Sequence, residues 1–183
     1  MNSLTRRFRP RRSALLALTL LLGGCGGLRL DDYAEASPAF DPRVFFDGHV
    51  RAWGIVQDWR GRVVRRFDVD IRGRREGDAV ILDEDFVYAD GERDQRTWHI
   101  APNDAGGFDG RADDIIGTAR GETRGNAMRW RYAMDLAVDG RQWRVAFDDW
   151  MWQLDGDRLM NRSFIRKFGV TVAEVTIFME RLD

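Results

Sequence analysis

From Gly48 onward, apolar and polar residues alternate, and this period of two constrains the fold more than any other feature of the chain. Phe67, Val69 and Ile71, for example, alternate with charged residues. Glycine-containing turn signals such as Asp90-Gly91 interrupt the alternation roughly every 8 to 14 residues. Glycine supplies the positive φ that tight hairpin turns need. The pattern therefore predicts an antiparallel β-sheet.

The number of alternating segments predicts a closed structure. There are about nine or ten of them, joined by short loops, and no helical pattern among them is long enough for a crossover. A meander of this length in an open sheet would expose its edges, so we expect an all-β, lipocalin-like barrel. A sandwich of two sheets is the alternative.

One short helical turn is expected before the sheet. Asp41 suits the N-cap, Pro42 the first helical position and Gly48 the stop. The turn should span 42–47 and direct Val44, Phe45 and Phe46 toward the core.

The N-terminal segment has the layout of a secretory signal. Five arginines precede an apolar run at 14–22 that is too short to span a bilayer. The following Leu22-Gly23-Gly24-Cys25 resembles a bacterial lipobox, in which Cys25, the only cysteine, would be acylated. A buried cysteine or an uncleaved anchor are the alternatives. We expect a signal peptide at 1–24, a lipidated tether at 25–40 and a barrel domain at 41–183.

The residues after Cys25 and the net charge bear on location and partners. Gly26 and Gly27, in place of Asp, favour the periplasmic face of the outer membrane as the address. Removing 1–24, which holds five arginines and no acidic residue, takes the formal net charge from −1 to about −6. Such a balance argues against nucleic acid as a partner and against a polybasic grip on lipid.

The segment 147–152 is the most unusual strand. Asp148, Trp150 and Trp152 share one face, and Phe147, Asp149 and Met151 share the other. Either one face is a cavity wall with an oriented Asp, or both faces are covered and the aspartates pair with arginines.

Glu84 is the interesting member of an acidic run. It shares a face with Leu82, Phe86 and Tyr88, whereas Asp83 and Asp85 point the other way. Glu84 is thus either a buried acid with a raised pKa or a glutamate paired with an arginine on a solvated strand.

The remaining polar residues give weak signals. His49 and His99 lie outside any metal-ligand spacing, so no metal or cofactor is expected. No serine lies in a nucleophile-elbow setting. Arg162 and Lys167, the only lysine, belong to a small basic cluster that could bind an anionic head group.

Several stretches together resemble a known family. They are Phe45-Phe46-x-Gly48, Ala52-Trp53-Gly54, 83–92, Gly117-x-Ala119-x-Gly121, 147–151, Asn161-Arg162, Lys167-Phe168-Gly169 and Glu174-Val175-Thr176. The chain resembles the DUF3833 family of uncharacterised bacterial lipoproteins over essentially all of the predicted domain. The resemblance implies a class and a location but no reaction.

These observations predict an envelope lipoprotein that binds or shuttles a hydrophobic ligand, a fatty acid or a phospholipid. A structural or assembly lipoprotein with a packed barrel is the alternative, and a lipid-modifying enzyme using Glu84 or Asp148 is a weaker one. The expected ligand contacts are Trp53, Glu84, Phe86, Tyr88, Trp130, Tyr132, Asp148, Trp150, Trp152, Arg162 and Lys167. An error of one residue in register would invert this set.

Overall fold

The computed structural model describes residues 27–138 and 140–182. The predicted signal peptide and Cys25 lie outside these residues. A 3-10 turn at Leu30–Tyr33 and a short helix, α1, at Pro42–Phe45 precede ten strands. The strands are β1 (Gly48–Asp58), β2 (Val63–Glu76), β3 (Ala79–Tyr88), β4 (Arg93–Pro102), β5 (Phe108–Arg111), β6 (Ile115–Arg124), β7 (Ala127–Val138), β8 (Arg141–Gln153), β9 (Arg158–Lys167) and β10 (Val170–Arg181).

The ten strands form one closed antiparallel barrel with meander connectivity. Each strand pairs with the next in sequence, and β10 returns to pair with β1, where Trp53 lies opposite Phe178. The all-β barrel expected from the alternation is confirmed, and the two-sheet sandwich is excluded. Closure pairs each of the ten described strands on both sides, which is the physical reason for a meander of this length to curl.

Helix α1 closes one end of the barrel. The Asp41 side chain accepts a hydrogen bond from the backbone N of Arg43 at 2.8 Å, as expected of an N-cap. Phe45 and Phe46 are buried, with ring centroids 5.1 Å apart. Val44, which we expected to face the core, is 59% exposed. The helix has little more than one turn, so only one side of it meets the barrel.

Gly73 on β2 allows this close approach. An added Cβ would lie 1.5 Å from the backbone oxygen of Phe46. No side chain fits between β2 and the end of α1 at this point, so their close contact depends on glycine.

The segment before α1 packs against the barrel wall. The backbone N of Phe40 donates to the oxygen of Gly125 at 2.8 Å, and Phe40 is buried. The Tyr33 ring lies 6.4 Å from that of Trp150 and 6.1 Å from that of Trp152. The part of the expected tether from Leu30 to Phe40 therefore contributes to the folded structure.

The two ends of the barrel differ. Helix α1 covers the end where β1 begins, while the hairpins after β1, β3, β5, β7 and β9 form the opposite end, which we call the open rim. Among the residues described here, neither helix is long and apolar enough to cross a bilayer.

Candidate functional site

The interior of the barrel contains a cavity of about 420 Å³. Eight of the ten strands and the α1 region line it. Its volume falls within the range of small-molecule sites. Apolar residues form most of the wall toward α1: Phe46, Ala52, Ile71, Leu82, Trp98, Ile100, Met128 and Met179.

The cavity stops short of β5 and β6 because Trp130 fills the space beside them. Gly110 and Gly121 offer no side chain on that face, and an added Cβ at either would lie within 2.4 Å of the Trp130 ring. Trp130 is 3% exposed and packs edge-on against Trp98 at 5.6 Å. The hollow part of the barrel is thus bounded on one side by an aromatic wall.

A polar band interrupts the apolar lining. It consists of Glu84 on β3, Arg96 on β4, Asp114 between β5 and β6, Tyr132 on β7 and Asp149 on β8. Arg96 forms an ion pair with Asp114 at 2.6 Å. Its guanidinium also lies 5.8 Å from the ring centroids of both neighbouring aromatic residues, Phe86 and Trp98. The single cation of the band is therefore already held by one carboxylate and two aromatic rings.

Asp149 is the most enclosed acid of the band. It is 6% exposed, and its Oδ1 atom has no hydrogen-bond partner within the described chain. Burial raises the pKa of its carboxyl to about 7, against the lowering effect of hydrogen bonds from Ser163 and Tyr132. An isolated buried carboxylate is costly, so near neutral pH this group holds a proton part of the time.

Glu84 lines the same cavity. Enclosure within the barrel raises its pKa to about 7; the charge of Arg96 opposes the shift, and those of Asp114 and Asp149 add to it. Within the described part of the chain, Glu84 has no hydrogen bond or ion pair. Glu84 therefore lines the cavity as an enclosed acid with a raised pKa, and Arg96, the arginine opposite it, forms its ion pair with Asp114 instead.

Tyr132 forms the wall between the two acids. Its ring stacks on Phe147 at 4.7 Å with an interplanar angle of 6° and meets Trp98 edge-on at 5.3 Å. Burial raises the pKa of its hydroxyl, which therefore stays protonated as a hydrogen-bond donor.

Five of the predicted contact residues line the cavity: Glu84, Phe86, Tyr88, Trp130 and Tyr132. Two others lie on the outer wall. Trp53 is 40% exposed and stacks on Phe178 at 6.0 Å. Arg162 forms an ion pair with Glu174 at 2.6 Å.

The predicted orientation of Asp148, Trp150 and Trp152 is corrected by the structure. All three face outward, and Phe147, Asp149 and Met151 line the cavity in their place. Both faces of β8 are covered, because the segment containing Tyr33 packs on the outer one. Burial and aromatic content alone could not separate the two faces.

Asp148 is the acidic residue of an ion-pair cluster on the outer wall. It accepts from Arg129 at 2.7 Å and lies 3.2 Å from Arg166. Pairing of the aspartates with arginines is therefore correct for Asp148 and wrong for Asp149. Asp148 therefore does not lie in the cavity, where the alternative of a lipid-modifying enzyme would need it.

Lys167 lies at the open rim. Its Nζ is 3.4 Å from the centroid of the Trp143 ring and 5.4 Å from that of Phe168. Lys167 does not line the cavity.

Arg96, Asp114 and Ser163 were missed in the sequence. Arg96 carries a detectable signal, since it alternates with Trp98 and Ile100 and therefore faces inward. Asp114 belongs to a loop, where alternation gives no direction.

Other candidate sites are weaker. An outer depression of about 800 Å³ lies beside β1 to β4 and is lined by charged residues. Several of these pair with each other or with neighbours, as Arg51 does with Asp68 at 3.5 Å. No group of three or more potential metal ligands occurs among residues 27–138 and 140–182.

Comparison with known proteins assigns a family without an activity. The sequence profile of DUF3833, described as a protein of unknown function, matches residues 19–181. A search of curated proteins finds no match.

Proposed function

Because the chain belongs to the DUF3833 family, whose function is unknown, we propose its function from the barrel itself. The protein is a membrane-anchored lipoprotein of the bacterial cell envelope that binds or shuttles one hydrophobic ligand, a lipid such as a fatty acid or a phospholipid. The cavity of about 420 Å³, apolar toward α1 and polar across its middle, is the observation that carries this proposal.

The two parts of the lining suggest how a lipid would be oriented. An apolar chain would lie toward the closed end, against residues such as Leu82, Ile100 and Met128. Removing apolar surface from water contributes about 25 cal/mol per Å². The polar group would lie at the band that contains Glu84 and Asp149, where a buried donor or acceptor is needed.

The proposed anchor would sit at the closed end of the barrel. Leu30 begins the folded segment, which packs beside the β6–β7 turn at that end. Cys25 is five residues before Leu30, so an acyl chain on its sulfur would be within about 18 Å of it. The open rim would then face away from the anchoring membrane, toward the compartment or partner that supplies the ligand.

The first test is the identification of lipids that co-purify with the protein. A soluble version that begins at residue 26 keeps all of the described contacts and can be made in a bacterial periplasm. Mass spectrometry of the extract should find a stoichiometric lipid that an added single-chain lipid displaces. The absence of both a co-purifying lipid and any binding of a fatty-acid probe would contradict the proposal.

An assembly role is the second candidate, and the open rim favours it. Phe168 is 95% exposed and Trp59 is 70% exposed, each at the tip of a hairpin. Exposed aromatic residues of this kind are typical of protein contacts. Crosslinking through these two tips in cells should capture a defined envelope protein if this role is the principal one. In that case the cavity should be empty after purification.

A further inference from the structure

The polar band of the cavity has an excess of acid over base. Glu84, Asp114 and Asp149 face Arg96 across the band, while the other cation of the cavity lining, Arg65, pairs with Asp90 at 3.3 Å. Arg96 is already engaged, because its guanidinium lies 2.6 Å from Asp114. Neither of the other two carboxyls forms an ion pair within the described chain, although the charge of Arg96 lowers the pKa of both.

The unpartnered oxygen atom marks a position for a donor. Asp149 is 94% buried, and its Oδ1 faces no hydrogen-bond donor of the described chain, although the residue lines the cavity. Buried acceptors in folded proteins are almost always satisfied. A ligand that brings a donor to this point would remove the desolvation penalty of the empty acceptor.

We propose that Asp149 and Glu84 form a binding site for the primary ammonium group of a single-chain lipid held in the barrel. This inference rests on the proposed function and narrows its ligand. An ammonium group carries three donors and one positive charge, which matches two carboxyls that form no ion pair within the described chain. The rings of Tyr132 and Trp98 border the band and add a favourable surface for a cation.

A ligand with an ionised carboxylate fits the band less well. It would place a further negative charge beside the three acids, and Arg96, whose Nε and Nη2 already contact Asp114, could offer it only its remaining N–H groups. Like charges in an enclosed site disfavour each other strongly. An alcohol would satisfy Oδ1 but would leave the charge of the band uncompensated.

The pH dependence follows from all of the groups that face the cavity. These are Arg65 on β2, Glu84 and Tyr88 on β3, Asp94 and Arg96 on β4, Asp114 in the β5–β6 loop, Tyr132 on β7 and Asp149 on β8. Glu84 and Asp149 are the two with a pKa of about 7. A bound ammonium favours their ionised forms, so its affinity should rise as the pH increases from about 6 to about 8.

The test compares four probes on the soluble version that begins at residue 26. They are dodecylamine, dodecan-1-ol, dodecanoic acid and a lysophosphatidylethanolamine with the same chain, titrated by calorimetry at about pH 7.5. The free amine should bind at least about tenfold more tightly than the alcohol or the acid. The phospholipid probe tells a free amine from an amine head group, and tighter binding of either one supports the site.

Two isosteric variants locate the effect. Asp149→Asn and Glu84→Gln should each weaken dodecylamine by about tenfold and change dodecan-1-ol by less than about twofold. Asp85→Asn is the matched control, because Asp85 is adjacent to Glu84 but faces outward and bonds Gln95. Its affinity for the amine should equal that of the parent protein.

The outcomes separate this inference from the proposed function. Binding of the acid or the alcohol as tightly as the amine would overturn the ammonium site and leave a lipid-binding barrel in place. Binding of none of the four probes would overturn both. If Asp149→Asn fails to fold, Glu84→Gln alone decides, and an unchanged preference for the amine in that variant would overturn the inference.

Discussion

Glu84 and Arg96 lie directly opposite each other on β3 and β4, yet they do not form an ion pair. Arg96 instead binds Asp114 at 2.6 Å. Because Arg96 pairs with Asp114, the Glu84 carboxyl has no ion-pair partner in the described chain. It lies inside a cavity whose enclosure raises its pKa to about 7. The arrangement costs stability, and a structural role alone does not require it.

The unfolding free energy should therefore decrease as the pH rises from about 4 to about 7 and level off above neutrality. Glu84 and Asp149 both have a pKa raised to about 7 from ordinary values of 4.5 and 3.8. For an acid whose folded pKa is raised, stability is greatest below the unfolded pKa, falls between the unfolded and the folded pKa, and levels off once the pH has risen through the folded pKa. Urea unfolding at about pH 5 and about pH 8 measures the difference.

The double variant Glu84→Gln with Asp149→Asn checks the cause of this loss. It should reduce the difference in unfolding free energy between the two pH values by on the order of 2 kcal/mol. Asp85→Asn, on the outer face, should leave the difference as it is in the parent protein. A double variant with an undiminished pH dependence would contradict the assignment to these two acids.

Replacing Gly73 by alanine should destabilise the protein by about 1 to 3 kcal/mol. The new Cβ would lie 1.5 Å from the Phe46 oxygen, so α1, which closes this end of the barrel, would have to move. Gly156→Ala is the matched control, since an added Cβ there has nothing within 4 Å. Equal unfolding free energies for the two variants would show that the packing of α1 on the barrel does not depend on the close contact at Gly73.

Replacing Phe168 by asparagine should stabilise the isolated protein by about 1 kcal/mol. Phe168 adopts φ of 51° at the β9–β10 hairpin, and its side chain is 95% exposed. Asparagine tolerates the left-handed conformation better and is favoured before glycine in such turns. Chemical denaturation compares the two proteins, and a clear loss of stability would show that the Phe168 ring contributes packing that its exposure does not reveal.

Much of the fold follows from local patterns that the sequence carries. Alternation and turn glycines predict about nine or ten antiparallel strands, and a meander of that length predicts closure. The inward orientation of Glu84 follows from its shared face with Leu82 and Phe86, which the cavity lining confirms.

The site was harder to predict because it depends on contacts between distant elements. On β8 both faces are rich in aromatic residues, and only the packing of Tyr33 shows that the face with Trp150 is external. The Arg96–Asp114 pair joins a strand to a loop, where alternation carries no information. The sequence accordingly predicts Asp148 inside the barrel and Asp149 outside, which is the reverse of their positions in the structure.

The most direct test of the account is a lipid titration of two tryptophan variants of β1. Val56 lines the cavity, whereas the adjacent Ile55 borders the outer wall. In the soluble version that begins at residue 26, Val56→Trp should fill the cavity and abolish binding of a fluorescent single-chain lipid. Ile55→Trp should bind it as the parent protein does. Unchanged binding in a folded Val56→Trp protein would place the ligand outside the barrel and contradict the central claim.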